Sequence, residues 1–99
     1  MSEKTILKER TDIKIKKPKL YKVLMHNDDY TTMEFVVEVL VSYFHKNNNE
    51  AAKIMLDVHN SGVGVAGIYP YDIAATKVFE VMRRASQSGF PLKLSLREE

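Results

Sequence analysis

The sequence contains no cysteine among its 99 residues. The absence of thiols excludes a disulfide framework, a thiolate metal site and a cysteine nucleophile, and it fits a reducing compartment. The chain also lacks any apolar run near the roughly 20 residues that a membrane-spanning helix requires. Residues 1–17 lack the apolar core of a secretory signal. We therefore expect a cytoplasmic protein that does not enter a membrane.

Neither sign of charge is in large excess, because 15 basic residues nearly balance 13 acidic ones. An apolar content of 44% and a length of 99 residues suit one globular domain with a modest core. Basic residues nevertheless cluster at Lys14, Lys16, Lys17, Lys19 and Lys22. Such a cluster is typical of a nucleic-acid contact or of a solvated arm. No aromatic residue interleaves with it before Tyr21, so base stacking has no support and we favour the solvated arm.

The start of the chain differs in composition from the remainder. Residues 1–18 mix charges with scattered apolar residues and end at Pro18, which predicts a flexible N-terminal extension. One folded domain is expected over residues 19–99. It opens with an alternating stretch, residues 20–26, which predicts a strand with Tyr21, Val23 and Met25 on one face.

Two helices are predicted to follow this strand. Thr31 is expected to be the N-cap of the first, because Glu34 follows at the capping-box spacing. One of the asparagines at 47–49 is expected to cap a second helix over residues 50–60, which Gly62 ends.

The last part of the chain supplies two strands and one helix. Residues 63–69 are predicted to form a short strand, and a third helix lies between Pro70 and Gly89. The final strand is predicted from the alternation of Leu92, Leu94 and Leu96 with polar residues. The order strand, helix, helix, strand, helix, strand predicts an α+β domain: a small three-stranded, mostly antiparallel sheet with three helices packed on one face.

A polar turn, Asn27, Asp28 and Asp29, separates the first strand from the first helix. Such residues favour turns, and acids before a helix complement its dipole, so a purely structural role would account for them. His59 lies beside the apolar stripe of the second helix, where a histidine is commonly a structural residue. A functional role must be weighed against these structural ones.

Metal binding and catalysis have little support in the spacing of these residues. His26, His45 and His59 are scattered, and none forms the i, i+4 pair that is typical of metal-binding helices, so we expect no metal. Asp28 or Asp29 could act with His59 in acid–base chemistry. No activated nucleophile, glycine-rich phosphate loop or oxyanion site accompanies them, and we expect no enzyme.

The same side chains make a complete set of acceptors for an ammonium group. An amide oxygen, a carboxylate and a neutral imidazole can accept the three hydrogen bonds that an ammonium donates. Placed beside Met33 and Met55, they would bind a ligand with a charged head and an apolar body.

This turn and its neighbours resemble the signature of the ClpS family, the bacterial adaptors of the N-end rule. The resemblance covers residues 19–96. It is carried by YKVL at residues 21–24, NDDYTTMEFV at 27–36, MLDVH at 55–59, ATKV at 75–78 and PL at 91–92.

The resemblance implies a non-catalytic adaptor without a cofactor. ClpS proteins bind N-degron substrates, which have a free α-amino group and Leu, Phe, Tyr or Trp as first residue. They deliver these substrates to the unfoldase ClpA for degradation by ClpP. The implied partners are N-degron proteins and the N-terminal domain of hexameric ClpA, or a related unfoldase. No nucleic acid or membrane partner is implied, and we expect a monomer.

The resemblance also assigns site residues. The α-amino receptor falls on Asn27, Asp28, Asp29 and His59. The hydrophobic pocket falls on Thr31, Met33, Val36, Met55, Val58 and Leu92. An unfoldase-docking surface falls on Asp72 and Lys77, and the unfoldase is expected to engage the N-terminal extension during delivery.

Two positions depart from the family pattern. Thr32 stands where many relatives have proline, and Asp72 stands where glutamate is common. The alternative interpretation is a small basic α+β module associated with the ribosome or RNA, which the lysine cluster suggests.

Overall fold

The computed structural model describes residues 17–99. Residues 1–16 of the predicted extension lie outside that range, so the prediction for them stays a prediction. Lys17 and Pro18 are exposed and have no regular secondary structure.

Six elements follow one another in the predicted order. They are β1 (Leu20–His26), α1 (Met33–Phe44), α2 (Asn48–Ser61), β2 (Val63–Pro70), α3 (Tyr71–Gln87) and β3 (Lys93–Glu98). The strands form one three-stranded antiparallel sheet, so the predicted α+β fold class is confirmed.

β1 is the central strand of the sheet, with β2 on one side and β3 on the other. Its residues alternate in burial as the sequence predicts: Val23 and Met25 are fully buried, whereas Leu20 is exposed. A bulge at Ala66 shifts the β1–β2 register, and the ladder ends with His26 opposite Val63.

The N-cap of α1 differs from the prediction. Thr32, not Thr31, caps the helix, because its hydroxyl accepts a hydrogen bond of 3.1 Å from the amide of Phe35. Thr31 is engaged elsewhere, since both its amide and its hydroxyl donate to Asp28. Thr32 thus supplies a capping oxygen that a proline at this position could not.

The start of α2 confirms the expected asparagine cap. The side chain of Asn47 accepts from the Glu50 amide at 2.8 Å, and the Glu50 carboxylate accepts from the Asn47 amide at 3.1 Å. The helix ends at Gly62, which has the left-handed φ of 86° that glycine adopts without a steric cost.

The helices cover one face of the sheet and bury a single apolar core. Its buried members are Val23, Met25, Phe35, Val36, Val39, Leu40, Phe44, Ala51, Val58, Ala66, Ala74, Val81, Ala85, Leu92 and Leu94. Within residues 17–99, no helix combines the length and apolarity needed to cross a bilayer.

α2 packs closely against β2 at Gly64. A Cβ atom built at this position would lie 2.8 Å from Cγ2 of Val58 and 3.2 Å from the carbonyl oxygen of Ile54. Val58 is buried and the Ile54 oxygen belongs to the backbone, so neither atom can move aside freely. Because glycine has no side chain, Gly64 allows α2, the helix that carries His59, to pack this close to β2.

We predict that Gly64→Ala lowers the free energy of unfolding by about 1–3 kcal/mol, the usual cost of overpacking a core. Urea denaturation of the two proteins measures this difference. Val63→Ala is the control and should cost clearly less, because Val63 lies on the exposed face of the same strand. Equal stability of Gly64→Ala and the wild type would contradict the close approach.

Candidate functional site

A hollow of about 260 Å³ opens between the turn after β1, the start of α1 and the end of α2. Its lining combines three segments: Asn27, Asp28, Asp29 and Thr31 from the turn, Met33 and Val36 from α1, and Met55, Val58 and His59 from α2. The structure therefore brings together every residue expected for the receptor and the pocket except Leu92. Leu92 does not line the hollow, because it is buried in the core just before β3.

The antiparallel ladder explains why the turn meets the end of α2. One step beyond the pair His26 and Val63, the amide of Asn27 donates a hydrogen bond of 2.9 Å to the carbonyl oxygen of Gly62. His59 lies in the last turn of α2, three residues before Gly62. The bond therefore fixes His59 beside the turn. The sequence analysis did not assign Gly62 to the site, although a glycine at a helix end was the available signal.

Asp28 holds the shape of the turn. One carboxylate oxygen accepts from the amides of Tyr30 and Thr31 at 2.8 and 2.6 Å, and the other accepts from the Thr31 hydroxyl at 2.7 Å. Burial alone would raise the pKa of Asp28, but the hydrogen bonds from Thr31 and Tyr30 together outweigh it and lower the pKa below its ordinary value. The carboxylate is thus charged and largely occupied by the turn itself.

The side chains of the other expected acceptors, two in the turn and one on α2, remain open. The side chains of Asn27, Asp29 and His59 are exposed, and none of the hydrogen bonds found within residues 17–99 engages them. They nevertheless sit on backbone that the Asp28 turn and the Gly62 bond hold in place. All three residues line the same hollow and carry side-chain atoms that can accept hydrogen bonds.

The opposite side of the hollow is apolar. Val36 and Val58 are buried and form its base. Met33 and Met55 form a side wall, and Met33 is 45% exposed because it is the first residue of α1. The arrangement can hold a group with a cationic head and an apolar body. In the described part of the chain, no cluster of three histidine, aspartate or glutamate side chains could hold a metal ion.

The two residues expected for unfoldase docking lie apart from this hollow, on α3. Asp72 is exposed in the first turn, where an acid complements the helix dipole. Lys77 has a structural contact of its own: its ammonium donates to the carbonyl oxygen of Tyr43 at 2.6 Å and lies 5.8 and 5.3 Å from the ring centroids of Phe44 and Tyr69. Lys77 therefore helps to join α3 to the end of α1.

Comparison with known proteins gives one consistent result. The family model for the ATP-dependent Clp protease adaptor protein ClpS matches residues 16–95. The chain is similar to the ATP-dependent Clp protease adapter protein ClpS of Acetivibrio thermocellus, with 54% identity over 99 residues and all of both chains covered. With the protein of the same name from Clostridium acetobutylicum it shares 60% identity over 85 residues, covering 86% of this chain and 84% of that one.

A solved structure also matches. Agrobacterium tumefaciens ClpS2 bound to L-phenylalaninamide aligns with a TM-score of 0.80 and 38% identity. The alignment covers 84% of this chain and 100% of the other.

We predict that Asp28→Ala lowers the free energy of unfolding by about 1–2 kcal/mol at neutral pH, the range for losing a side chain that caps backbone amides. Asp29→Ala is the matched control and should change it by less than about 0.5 kcal/mol, because Asp29 is exposed. Urea denaturation measures both. Similar losses in the two variants would contradict the structural role of Asp28.

The same role predicts a dependence on pH. The pKa of Asp28 is lowered from 3.8 in the folded chain, so its stabilising contribution is complete above that value and is lost as the pH falls through the lowered pKa. The difference between wild type and Asp28→Ala should therefore shrink on acidification below about pH 4. A difference that stays constant between pH 7 and pH 3 would argue against the charged hydrogen bonds.

Proposed function

The chain belongs to the ClpS family of Clp protease adaptor proteins, and from this premise we propose how its hollow serves that role. The adaptor binds proteins that begin with a free α-amino group and a bulky apolar residue: Leu, Phe, Tyr or Trp. It delivers these N-degron proteins to a Clp unfoldase for degradation. The alternative interpretation, a ribosome- or RNA-associated module, is not supported by the comparisons.

The observation that carries the proposal is the open acceptor set above an apolar base in a single hollow. A peptide α-amino group has a pKa near ~8, so at neutral pH it is mostly protonated and offers three donors. We propose that Asn27, Asp29 and His59 accept these hydrogen bonds. Asp28, whose oxygens already accept from the turn, would add negative charge and keep the other groups in position.

The first side chain would then enter the apolar part of the hollow, between Val36, Val58 and the two methionines. Burying a Phe or Leu side chain contributes roughly 1.5–3 kcal/mol, and each hydrogen bond to a charged group contributes roughly 1.5–3 kcal/mol. After the cost of ordering the ligand is subtracted, we expect a binding free energy of about 8 kcal/mol, which corresponds to a micromolar dissociation constant. Neither the hydrogen bonds to the ammonium nor the burial of the first side chain suffices alone, because an internal leucine lacks the ammonium and an N-terminal glycine lacks the apolar side chain.

Docking to the unfoldase is proposed for the exposed side of α3. Asp72 and Lys77 line a shallow hollow of about 280 Å³ there, together with Ile73, Thr76 and Glu80. The N-terminal domain of hexameric ClpA, or of a related unfoldase, would contact this surface, and residues 1–18 would be engaged during delivery. We further infer a monomeric, cytoplasmic adaptor that catalyses no reaction itself.

The direct test of the receptor is a titration with labelled peptides. Phe- and Leu-initial peptides should bind, and acetylation of the amine should abolish binding because it removes the charge and two of the three donors. His59→Ala should weaken binding roughly 10- to 150-fold, the equivalent of one hydrogen bond to a charged group. Fluorescence anisotropy measures these affinities.

His45→Asn is the control for this titration. His45 lies at the end of α1 with a positive φ of 55°, which asparagine tolerates, and it does not line the hollow. This variant should bind as the wild type does. Equal binding of free and acetylated peptides would refute the proposed function, and a steep dependence on salt with RNA as ligand would favour the alternative.

Met33 is predicted to discriminate by side-chain shape. A wall close to the ligand Cβ penalises Ile and Val, whose branching widens them there. Met33→Ala should therefore narrow the preference for Leu-initial over Ile-initial peptides. Met82→Ala, a partly exposed methionine on α3, is the control. An unchanged preference in Met33→Ala would remove this role from Met33.

A further inference from the structure

One face of α3 presents a large aromatic ring to solvent. Phe79, near the middle of the helix, is 64% exposed. Within residues 17–99 it belongs neither to the buried core nor to the partly buried residues that pack against that core. A single exposed apolar residue needs no explanation, so the surroundings of the ring decide what it indicates.

The ring belongs to a wider apolar surface. Phe79 lines a hollow of about 580 Å³ between α3 and β3, compared with about 260 Å³ for the N-degron hollow. The apolar side chains of its lining are Ala75, Val78, Phe79, Met82 and Leu96. Phe79 also lines a second hollow of about 330 Å³, to which Tyr43 from the end of α1 contributes. Exposed apolar surface of this extent is typical of an interaction site.

This surface is separate from the site proposed for the substrate. The N-degron hollow is formed by the turn after β1 together with α1 and α2, whereas α3 supplies most of the lining at Phe79. In the part of the chain that the structure describes, no residue lines both sites. An adaptor needs two such separate surfaces, because it must hold its substrate and its unfoldase at the same time.

Phe79 also lies on the same face of α3 as the acid expected for docking. Asp72, Thr76, Phe79 and Arg83 recur at i, i+4, i+7 and i+11 and therefore share one face of the helix. At a rise of about 1.5 Å per residue, Phe79 lies about 10 Å along the helix axis from Asp72. A standard interface covers about 800 Å² of each partner, which corresponds to a circle of about 16 Å radius. An interface centred on Asp72 would therefore include Phe79.

The charged groups of this face are poorly suited to supply most of the affinity. The Asp72 side chain is exposed, and an exposed ion pair contributes little because water and salt screen it. The Lys77 ammonium is already occupied by the carbonyl oxygen of Tyr43 at 2.6 Å. Interfaces draw most of their binding energy from a few side chains that become fully desolvated, and aromatic residues are common among them.

We propose that Phe79 is the anchor of the unfoldase-docking surface, and that its ring enters an apolar pocket on the N-terminal domain of the unfoldase. The charges around the ring define the chemistry of that partner surface. Basic groups are expected opposite Asp72 and Glu80, and an acidic group is expected opposite Arg83. The inference rests on the proposed function, in which α3 docks to the unfoldase, and it adds the residue that supplies most of the affinity.

Three variants test the anchor. Phe79→Ala removes the ring, and because the ring lies outside the core, the variant should fold. Phe79→Leu keeps a smaller apolar side chain and should give an intermediate loss of binding. Leu56→Ala is the matched control, because Leu56 is another exposed apolar residue, on α2, and lines none of the hollows on α3.

Wild type and variants are titrated with hexameric ClpA by biolayer interferometry, and with a Phe-initial peptide by fluorescence anisotropy. We expect Phe79→Ala to bind ClpA at least about 30-fold more weakly, the loss that is typical of an interface hot spot. Its affinity for the peptide should stay within twofold of the wild type, which shows that the variant is folded. Leu56→Ala should change neither affinity by more than twofold.

The proposal is overturned if Phe79→Ala binds ClpA within threefold of the wild type, or if Leu56→Ala loses as much affinity as Phe79→Ala. It is also overturned if sedimentation shows a wild-type dimer that Phe79→Ala dissociates, because a second copy of the chain would then occupy this face. Failure of the wild type itself to bind ClpA would instead refute the proposed docking, and its failure to bind the peptide would refute the proposed N-degron site.

Discussion

The site depends on one backbone hydrogen bond, from the amide of Asn27 to the carbonyl oxygen of Gly62 at 2.9 Å. It extends the β1–β2 ladder by one pair beyond the strands and so joins the turn after β1 to the end of α2. Acceptors separated by more than thirty positions in sequence, on Asn27 and His59, thereby share one hollow. Gly62 suits this place because its left-handed backbone ends the helix and turns the chain at once into β2.

The side chain that stabilises the turn differs from those that are proposed to bind the ligand. Asp28 accepts three hydrogen bonds from residues of its own turn, which makes it a folding element despite its place in the lining. Asn27, Asp29 and His59 keep their acceptors open. A receptor for an ammonium needs both kinds, because open acceptors on a loose loop would have to be ordered when the ligand binds, and that ordering would reduce the affinity.

The parts of the fold that depend on local chemistry could be predicted from sequence. The capping box of Asn47 and Glu50 is an example, since both partners lie within one helical turn. The predicted N-cap of α1 was wrong by one residue, because either of two adjacent threonines can cap a helix. The Thr31 hydroxyl donates a hydrogen bond to Asp28, and Thr32 is therefore the cap. The convergence of the polar turn with His59 came from the family resemblance, because no local pattern encodes a contact between distant segments.

The hollow could not be predicted for a related reason: empty space is a property of how helices pack, and no residue pattern specifies it. The hollow has hydrogen-bonded backbone on its polar side and methionine side chains on its apolar side. In the proposed receptor, the hydrogen-bonded backbone would hold the acceptors for the α-amino group, which every N-degron protein shares. Met33 and Met55 would bound the first side chain, which varies from Leu to Trp. Methionine side chains adapt in shape, whereas a stiff β-branched wall would favour one size of first residue.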